Sequence, residues 1–337
     1  MPTLKVAILG LNRLGASVGL ALRRYSRGEA KHQFEVIGHD YSAEVERQAR
    51  ELGAIARAER GIEEAVRGAD VVVLALGYED LRDAYRRLAS AMRSGGVVLD
   101  CAPLKAKSQS WASKHLQPDQ HWIGFSPMFN PKRMFDAGQT LEAAREDDFD
   151  QGAVVITPTA ASLREAVDLA SNFALVLGGR PRFLDPEEHD ALLAYSAALP
   201  DLLGVALFAS LRAQVSWEED GQWLTPPSFG ALTRVLKETH PDGLRDAWLG
   251  NRDALLRAID GLLDQLHEVR ERLEAYDQDA IEAWVVRASD DYATWVNRRH
   301  RADWDHPQPV PKLSDGGFVT MLFGSKLAER FSKKGGR

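Results

Sequence analysis

The run Lys5-Val6-Ala7-Ile8-Leu9-Gly10-Leu11-Asn12-Arg13-Leu14-Gly15 constrains the fold most: an apolar strand breaks into a glycine turn and then enters a helical pattern. This is close to the G-x-G-x-x-G fingerprint of a dinucleotide-binding βαβ unit. There the first glycine makes the tight turn, the second lets the backbone approach a pyrophosphate, and the third lets helix and strand pack closely. Gly10 and Gly15 fill the first and third roles, and Asn12 stands in the second. Asparagine tolerates unusual backbone angles better than most residues, so it can occupy the turn, but its side chain enters the space a phosphate would use. Gly10, Asn12, Arg13, Leu14 and Gly15 are therefore the candidate phosphate-binding residues.

The flanking sequence supports this reading. Phe34-Glu35-Val36-Ile37-Gly38-His39-Asp40 reads as a second strand ending in an acid. An acid at that point accepts hydrogen bonds from an adenosine ribose and favours NAD over NADP. Further apolar runs at 69–76, 96–100, 121–124 and 153–157 alternate with helical patterns, which implies a doubly wound parallel α/β sheet. Ligands in such sheets bind at the carboxyl ends of the strands. The loops after Leu9, Asp40, Leu76, Asp100 and Gly124 are thus expected to ring one crevice.

After Arg182-Phe183-Leu184-Asp185-Pro186 the pattern becomes helical throughout, with long segments over 187–211 and 241–275. The expected organisation is a dinucleotide-binding domain over 1–183, an all-helical domain over 184–300, and a tail over 301–337. The tail opens on a proline-rich linker, Asp305-His306-Pro307-Gln308-Pro309-Val310-Pro311, and continues as a basic amphipathic arm. Such an arm can lie on an anionic membrane, but packing on a second copy of the chain is the plainer reading.

Composition narrows the class. The chain has 337 residues, enough for two domains, and a formal net charge of -7, which argues against a nucleic-acid partner. One cysteine, Cys101, excludes a disulfide framework and a multi-cysteine metal site, so no metal is expected and a reducing cytoplasm is the default location. No signal peptide is read before the first strand, and no apolar run is read as long enough to cross a bilayer.

Taken in order, several motifs resemble the prephenate and arogenate dehydrogenase family of tyrosine biosynthesis. They are the glycine turn, Val98-Leu99-Asp100 leading to Lys105, Gly124-Phe125-Ser126-Pro127-Met128-Phe129, and Asp185-Pro186-Glu187-Glu188-His189-Asp190. Downstream come Ser196-Ala197-Ala198-Leu199-Pro200, Phe229-Gly230-Ala231-Leu232-Thr233-Arg234 and Trp248-Leu249-Gly250-Asn251-Arg252. The resemblance implies an NAD-dependent oxidoreductase that moves a hydride from a cyclic hydroxy acid, works as a homodimer and binds a small carboxylate substrate. By the same resemblance Arg234 holds the carboxylate, in the fork geometry a guanidinium provides.

Three positions depart from the family pattern. A histidine that accepts the substrate hydroxyl proton is replaced by Ser126, a second histidine by Ala198, and a loop serine by Pro103. A hydroxyl with no adjacent base cannot take a proton at neutral pH, and a positioned base is worth roughly 10²- to 10⁴-fold. Ser126 is accordingly the catalytic candidate with its base missing. His115, His121, His189 and Asp201 are the candidates to replace that base; His121 is read as structural, His115 as exposed, and His189 as a capping or paired residue at a helix start. Lys105 and Lys107 are read as solvated. The alternative is a relative with altered chemistry, or a nucleotide-binding scaffold without turnover.

Overall fold

A computed structural model describes residues 3–28, 32–136 and 138–303. The expected tail arm therefore lies outside the described residues. The described chain forms two compact units, one ending at His189 and one beginning at Asp190.

The first unit is an eight-stranded sheet of order β3-β2-β1-β4-β5-β6-β7-β8. Its strands are β1 (Thr3–Leu9), β2 (Gln33–His39), β3 (Arg57–Ala58), β4 (Val71–Leu74), β5 (Val97–Asp100), β6 (His121–Pro127), β7 (Ala153–Thr157) and β8 (Arg180–Phe183). All neighbours pair in parallel except β6 and β7, which run antiparallel. The crossovers are α1 (Arg13–Arg27), α2 (Ala43–Leu52), α3 (Ile62–Val66), α4 (Leu81–Ala91), α5 (Lys105–His115) and α6 (Arg164–Val176). The sequence reading missed the short edge strands β3 and β8, whose two and four residues give too little alternation to register.

Both faces of the central strands are covered, which is why β4 is a continuous apolar run, β5 is apolar up to Asp100, and every residue of both is buried. Phe125, Phe149, Phe173, Ile8 and Leu99 are among the closed side chains of this core. Register brings the strand ends level. Leu9 pairs with His39 and Leu74, Leu74 with Asp100, and Asp100 with Gly124. The turns that follow therefore leave the sheet along one row.

A buried ion pair holds α1 against the segment that leads into β7. Arg13 Nε and Nη2 donate to the two oxygens of Asp148, both at 3.1 Å, and Ser17 Oγ donates to Asp148 at 2.8 Å. The guanidinium also lies 4.3 Å from the centroid of the Phe129 ring. Arg13 is 2% exposed and Asp148 not at all. The Arg13 side chain, read from the sequence as part of the phosphate turn, is thus engaged by partners inside the protein.

The second unit continues α7 (Pro186–Leu193) through a wide helical turn, Ala194–Ala198, into α8 (Leu199–Arg212). It is helical throughout, with α9 (Val215–Glu219), α10 (Pro227–Thr233), α11 (Val235–Glu238), α12 (Pro241–Gly250), α13 (Arg252–Glu274) and α14 (Gln278–His300). The long segment expected over 241–275 is thus two helices, broken at Asn251, whose side chain donates to the Asp190 carbonyl at 2.7 Å. Helices α8 and α10 meet at Gly204, where an added Cβ would fall 2.3 Å from the Leu232 carbonyl oxygen.

Because α7, the wide turn and α8 join without a break, Pro186–Arg212 is one helical run long and apolar enough to cross a membrane by length and composition. That corrects the expectation that no such run exists. Leu203, Leu232, Leu249, Leu263, Leu266 and Trp223 are exposed on this unit, so within one chain its apolar surface is incompletely covered.

Removing the Asp148 carboxylate leaves a buried guanidinium unpaired, so Asp148→Ala is expected to destabilise the sheet unit by about 3–5 kcal/mol. Chemical denaturation followed by fluorescence measures this, and a loss under about 1 kcal/mol would show that the pair contributes little.

Candidate active site

The glycine turn has the geometry its spacing implies. Gly10 sits at φ +92°, in the left-handed region, and a Cβ there would lie 2.3 Å from the Ala75 carbonyl oxygen. A Cβ on Gly15 would lie 1.9 Å from the Gly10 carbonyl oxygen, which only the close seating of α1 on the turn explains. Asn12 needs no special backbone freedom, since its φ is -64°. Its side chain folds back as the cap of α1: Oδ1 accepts the Gly15 N–H at 3.2 Å and Nδ2 donates to the Ala75 carbonyl at 3.0 Å. The asparagine thus replaces the missing glycine by tying its own side chain down.

Asp40 follows β2 directly and faces the same turn. Its Oδ2 accepts the Leu11 N–H at 2.9 Å and its Oδ1 the Ser42 N–H at 3.0 Å. Each carboxylate oxygen has a further lone pair, so two ribose hydroxyls can still be accepted there. The adenosine end of the site therefore fits NAD. At the phosphate end, the Arg13 N–H donates to the Gln139 carbonyl at 2.9 Å, and Arg13 Nη1 donates to the Gly138 carbonyl at 3.1 Å. A pyrophosphate using the first amides of α1 has to displace that Gln139 carbonyl. Leu14 follows Arg13 in the first turn of α1, where its contribution to a ligand would be its backbone amide.

At the far side of the row, Ser126 lies near the end of β6, paired to Val155 of β7. Its Oγ lies 2.9 Å from Nε2 of His189, and the two residues are 7% and 3% exposed. The expectation that Ser126 has no base beside it, and that His189 caps or pairs at a helix start, is corrected here. The Asp185-Pro186 start of α7 carries His189 back to the end of β6, a long-range placement to which no local pattern points. The His189 amide is held by the Asp185 carbonyl at 2.9 Å.

Lys105 is the other residue that local pattern misread. It is completely buried, and its Nζ donates to the carbonyls of Asp100, Ala102 and Phe125 at 2.6, 2.7 and 3.4 Å. The ammonium ties the end of β5 to the residue before Ser126. Lys107 is exposed, as read. The Asp100 carboxylate beneath accepts from Tyr85 Oη at 2.6 Å, Trp122 Nε1 at 2.9 Å, the Ala102 amide at 2.7 Å and the Ser108 hydroxyl. Burial, then the Asp100 charge, holds the Tyr85 hydroxyl well above its usual range, so it stays a donor. Burial likewise pushes the Cys101 thiol up to about 12, which excludes a thiolate nucleophile at neutral pH.

The remaining candidates separate. His121 starts β6, at the end away from Ser126, and burial lowers its pKa. It lines a cavity of about 340 Å³ with Gln109, Gln120 and Ser162. His115 is the last residue of α5. In the helical unit Arg234 lies between α10 and α11, exposed, with Nε 3.7 Å from Glu238. Asp201 is in the first turn of α8, where burial pushes its carboxyl up to about 6. Among the described residues no His, Cys, Asp and Glu grouping is suited to a metal ion.

A doubly wound sheet with a level row of strand ends, a glycine turn and an acid after β2, followed by a helical unit, defines a nicotinamide-dinucleotide-binding dehydrogenase scaffold. Comparison with known proteins narrows this. Residues 18–182 match the family model described as prephenate dehydrogenase, nucleotide-binding domain, and residues 185–286 match the one described as prephenate dehydrogenase, dimerization domain. The chain belongs to the prephenate dehydrogenase family. The first match begins beyond the glycine turn, so the assignment stands independently of Gly10, Asn12 and Gly15.

Relatives include a prephenate dehydrogenase of Bacillus subtilis, 23% identical over 97% of this chain and 86% of that protein. A cyclohexadienyl dehydrogenase of Zymomonas mobilis is 25% identical over 81% of this chain and 90% of that one. The fold is shared with a prephenate dehydrogenase from A. aeolicus, solved in complex with hydroxyphenyl propionate and NAD+. It has a TM-score of 0.72 and 21% identity, covering 87% of this chain and 99% of that one. A Synechocystis arogenate dehydrogenase superposes with a TM-score of 0.63 at 20% identity, covering 87% of this chain and 100% of that one.

Asp201 gives a stability signature. A carboxyl raised to about 6 in the folded chain binds its proton more tightly than in the unfolded chain, where carboxyls titrate near ~4. Its contribution is fully present below about pH 4 and is lost as pH rises through about 6. Across this range the wild type is expected to lose stability relative to Asp201→Asn as pH rises, read as the difference between their denaturation midpoints.

Proposed function

We propose that this chain is an NAD-dependent dehydrogenase that oxidises prephenate, arogenate or a closely related cyclic hydroxy acid. Residues 1–183 form the dinucleotide-binding domain, and 184–300 the helical substrate and dimerisation domain. The observation that carries the reading is the coincidence of two family matches in order with a strand-end row bearing both the glycine turn and Asp40. Bound NAD would supply the hydride acceptor. Gly10, Asn12, Leu14 and Gly15 shape the turn for its phosphates, and Asp40 holds the adenosine ribose. The carboxylate also disfavours NADP, because the extra 2′-phosphate would face it.

Ser126 meets the reacting hydroxyl of the substrate. Arg234 binds a substrate carboxylate; its exposed side chain and long contact to Glu238 support this, because a loosely held guanidinium gives up little when it turns to another anion. A second copy covers the apolar face of Pro186–Arg212; the helix's most apolar 18-residue window is only 11% buried within one chain, and the family's dimerization domain supports a dimer partner there rather than a membrane span.

Titration with NADH and NADPH by fluorescence should show clear preference for NADH. Absorbance of reduced nicotinamide with prephenate and with arogenate should then rise with at least one of them. NADH binding without turnover of either would favour the second reading, a family relative with other chemistry, for which the serine at position 126 is the specific ground.

A further inference from the structure

The residue in the place of the family's base is a hydroxyl, yet the structure puts an imidazole in contact with that hydroxyl from another element. Ser126 Oγ and His189 Nε2 are 2.9 Å apart. Both are nearly closed to solvent. This is the separation at which a base activates a hydroxyl. The donors around Ser126 reinforce the arrangement: Lys105 anchors the carbonyl of the preceding residue, Phe125, and β7 fixes the strand on its other side. The serine therefore has a set position beside the imidazole.

We propose that Ser126 and His189 form a two-step proton relay that does the work of the absent histidine, with Ser126 as the catalytic residue and His189 acting through it. This rests on the dehydrogenase reading above. Ser126 Oγ accepts the proton of the substrate ring hydroxyl while the serine's own proton passes to His189 Nε2. As the substrate O–H bond breaks, its electron pair becomes the second bond of the new carbonyl, and the hydride on the same carbon leaves for NAD. The serine ends with one proton, as it began. His189 ends as the imidazolium, which holds the proton taken from the substrate. The relay requires a neutral His189 with its proton on Nδ1, so that Nε2 is the acceptor.

The test uses the full-length wild type, Ser126→Ala, His189→Asn, Ser126→His, Ser126→Ala with His189→Asn, and Ser126→His with His189→Asn. NADH binding and steady-state kinetics with prephenate and arogenate are measured for each. Ser126→Ala and His189→Asn are each expected to lower kcat by roughly 10²- to 10⁴-fold. KM and NADH affinity should stay near wild type. Their combination should cost little more than either alone, as for groups that act as a unit. Ser126→His should restore most of the turnover lost in His189→Asn, because it puts the base directly on the strand.

Imidazole ¹⁵N NMR of the unliganded protein gives a readout besides activity: His189 should show a neutral ring protonated on Nδ1, and its Nε2 resonance should move in Ser126→Ala. Wild-type kcat in His189→Asn, additive losses, or a ring protonated on Nε2 would each overturn the relay while leaving the dehydrogenase reading intact. Bound NADH with no turnover of either substrate by the wild type would overturn that reading, and the relay with it.

Discussion

The level register of the parallel strands is the constraint on which the site depends. Leu9, His39, Leu74, Asp100 and Gly124 stand opposite one another across the sheet, so the residues that follow them emerge at one height. Hydrogen bonding between strands fixes that height without reference to any ligand. The glycine turn, Asp40, the Lys105 loop and the end of β6 share a crevice because four strand pairings are in step. A slip of one residue in β6 would turn Ser126 to the other face of the sheet.

Charged groups within this frame are treated by location. Arg13, Asp148, Asp100 and Lys105 are all closed to solvent or nearly so, and each is matched by hydrogen-bond partners of suitable type. Buried ions of this kind add little net stability but heavily penalise arrangements that leave them unpaired. The surface pairs, such as Arg47 with Glu44 and Glu51, lie in water and impose no such penalty. The interior set fixes where α1, the end of β5 and the end of β6 sit, and those are the elements from which the crevice is built.

Much of the sheet was legible in the sequence because its strands are apolar runs punctuated by glycine and acid, and both signals are local. The glycine turn and Asp40 follow from a spacing of a few tens of residues in one βαβ unit. Ser126 was legible as a departure from a motif. The partners of these residues were not. Arg13 next to a glycine turn reads as a phosphate ligand, and nothing near it in the chain announces an acid 135 positions later. Lys105 reads as a solvated loop lysine until three carbonyls are seen to converge on it. His189 reads as a helix-start residue for the same reason, since its contact with Ser126 spans 63 positions. The helical segment over 187–211 was legible as one run, but its acids hid that Pro186–Arg212 is apolar enough over its length to cross a membrane.

The Gln139 carbonyl on the Arg13 amide has a thermodynamic consequence. The chain satisfies this amide at the positive end of α1 with its own backbone, so a dinucleotide that took the amide would exchange one hydrogen bond for another and gain only the difference between them.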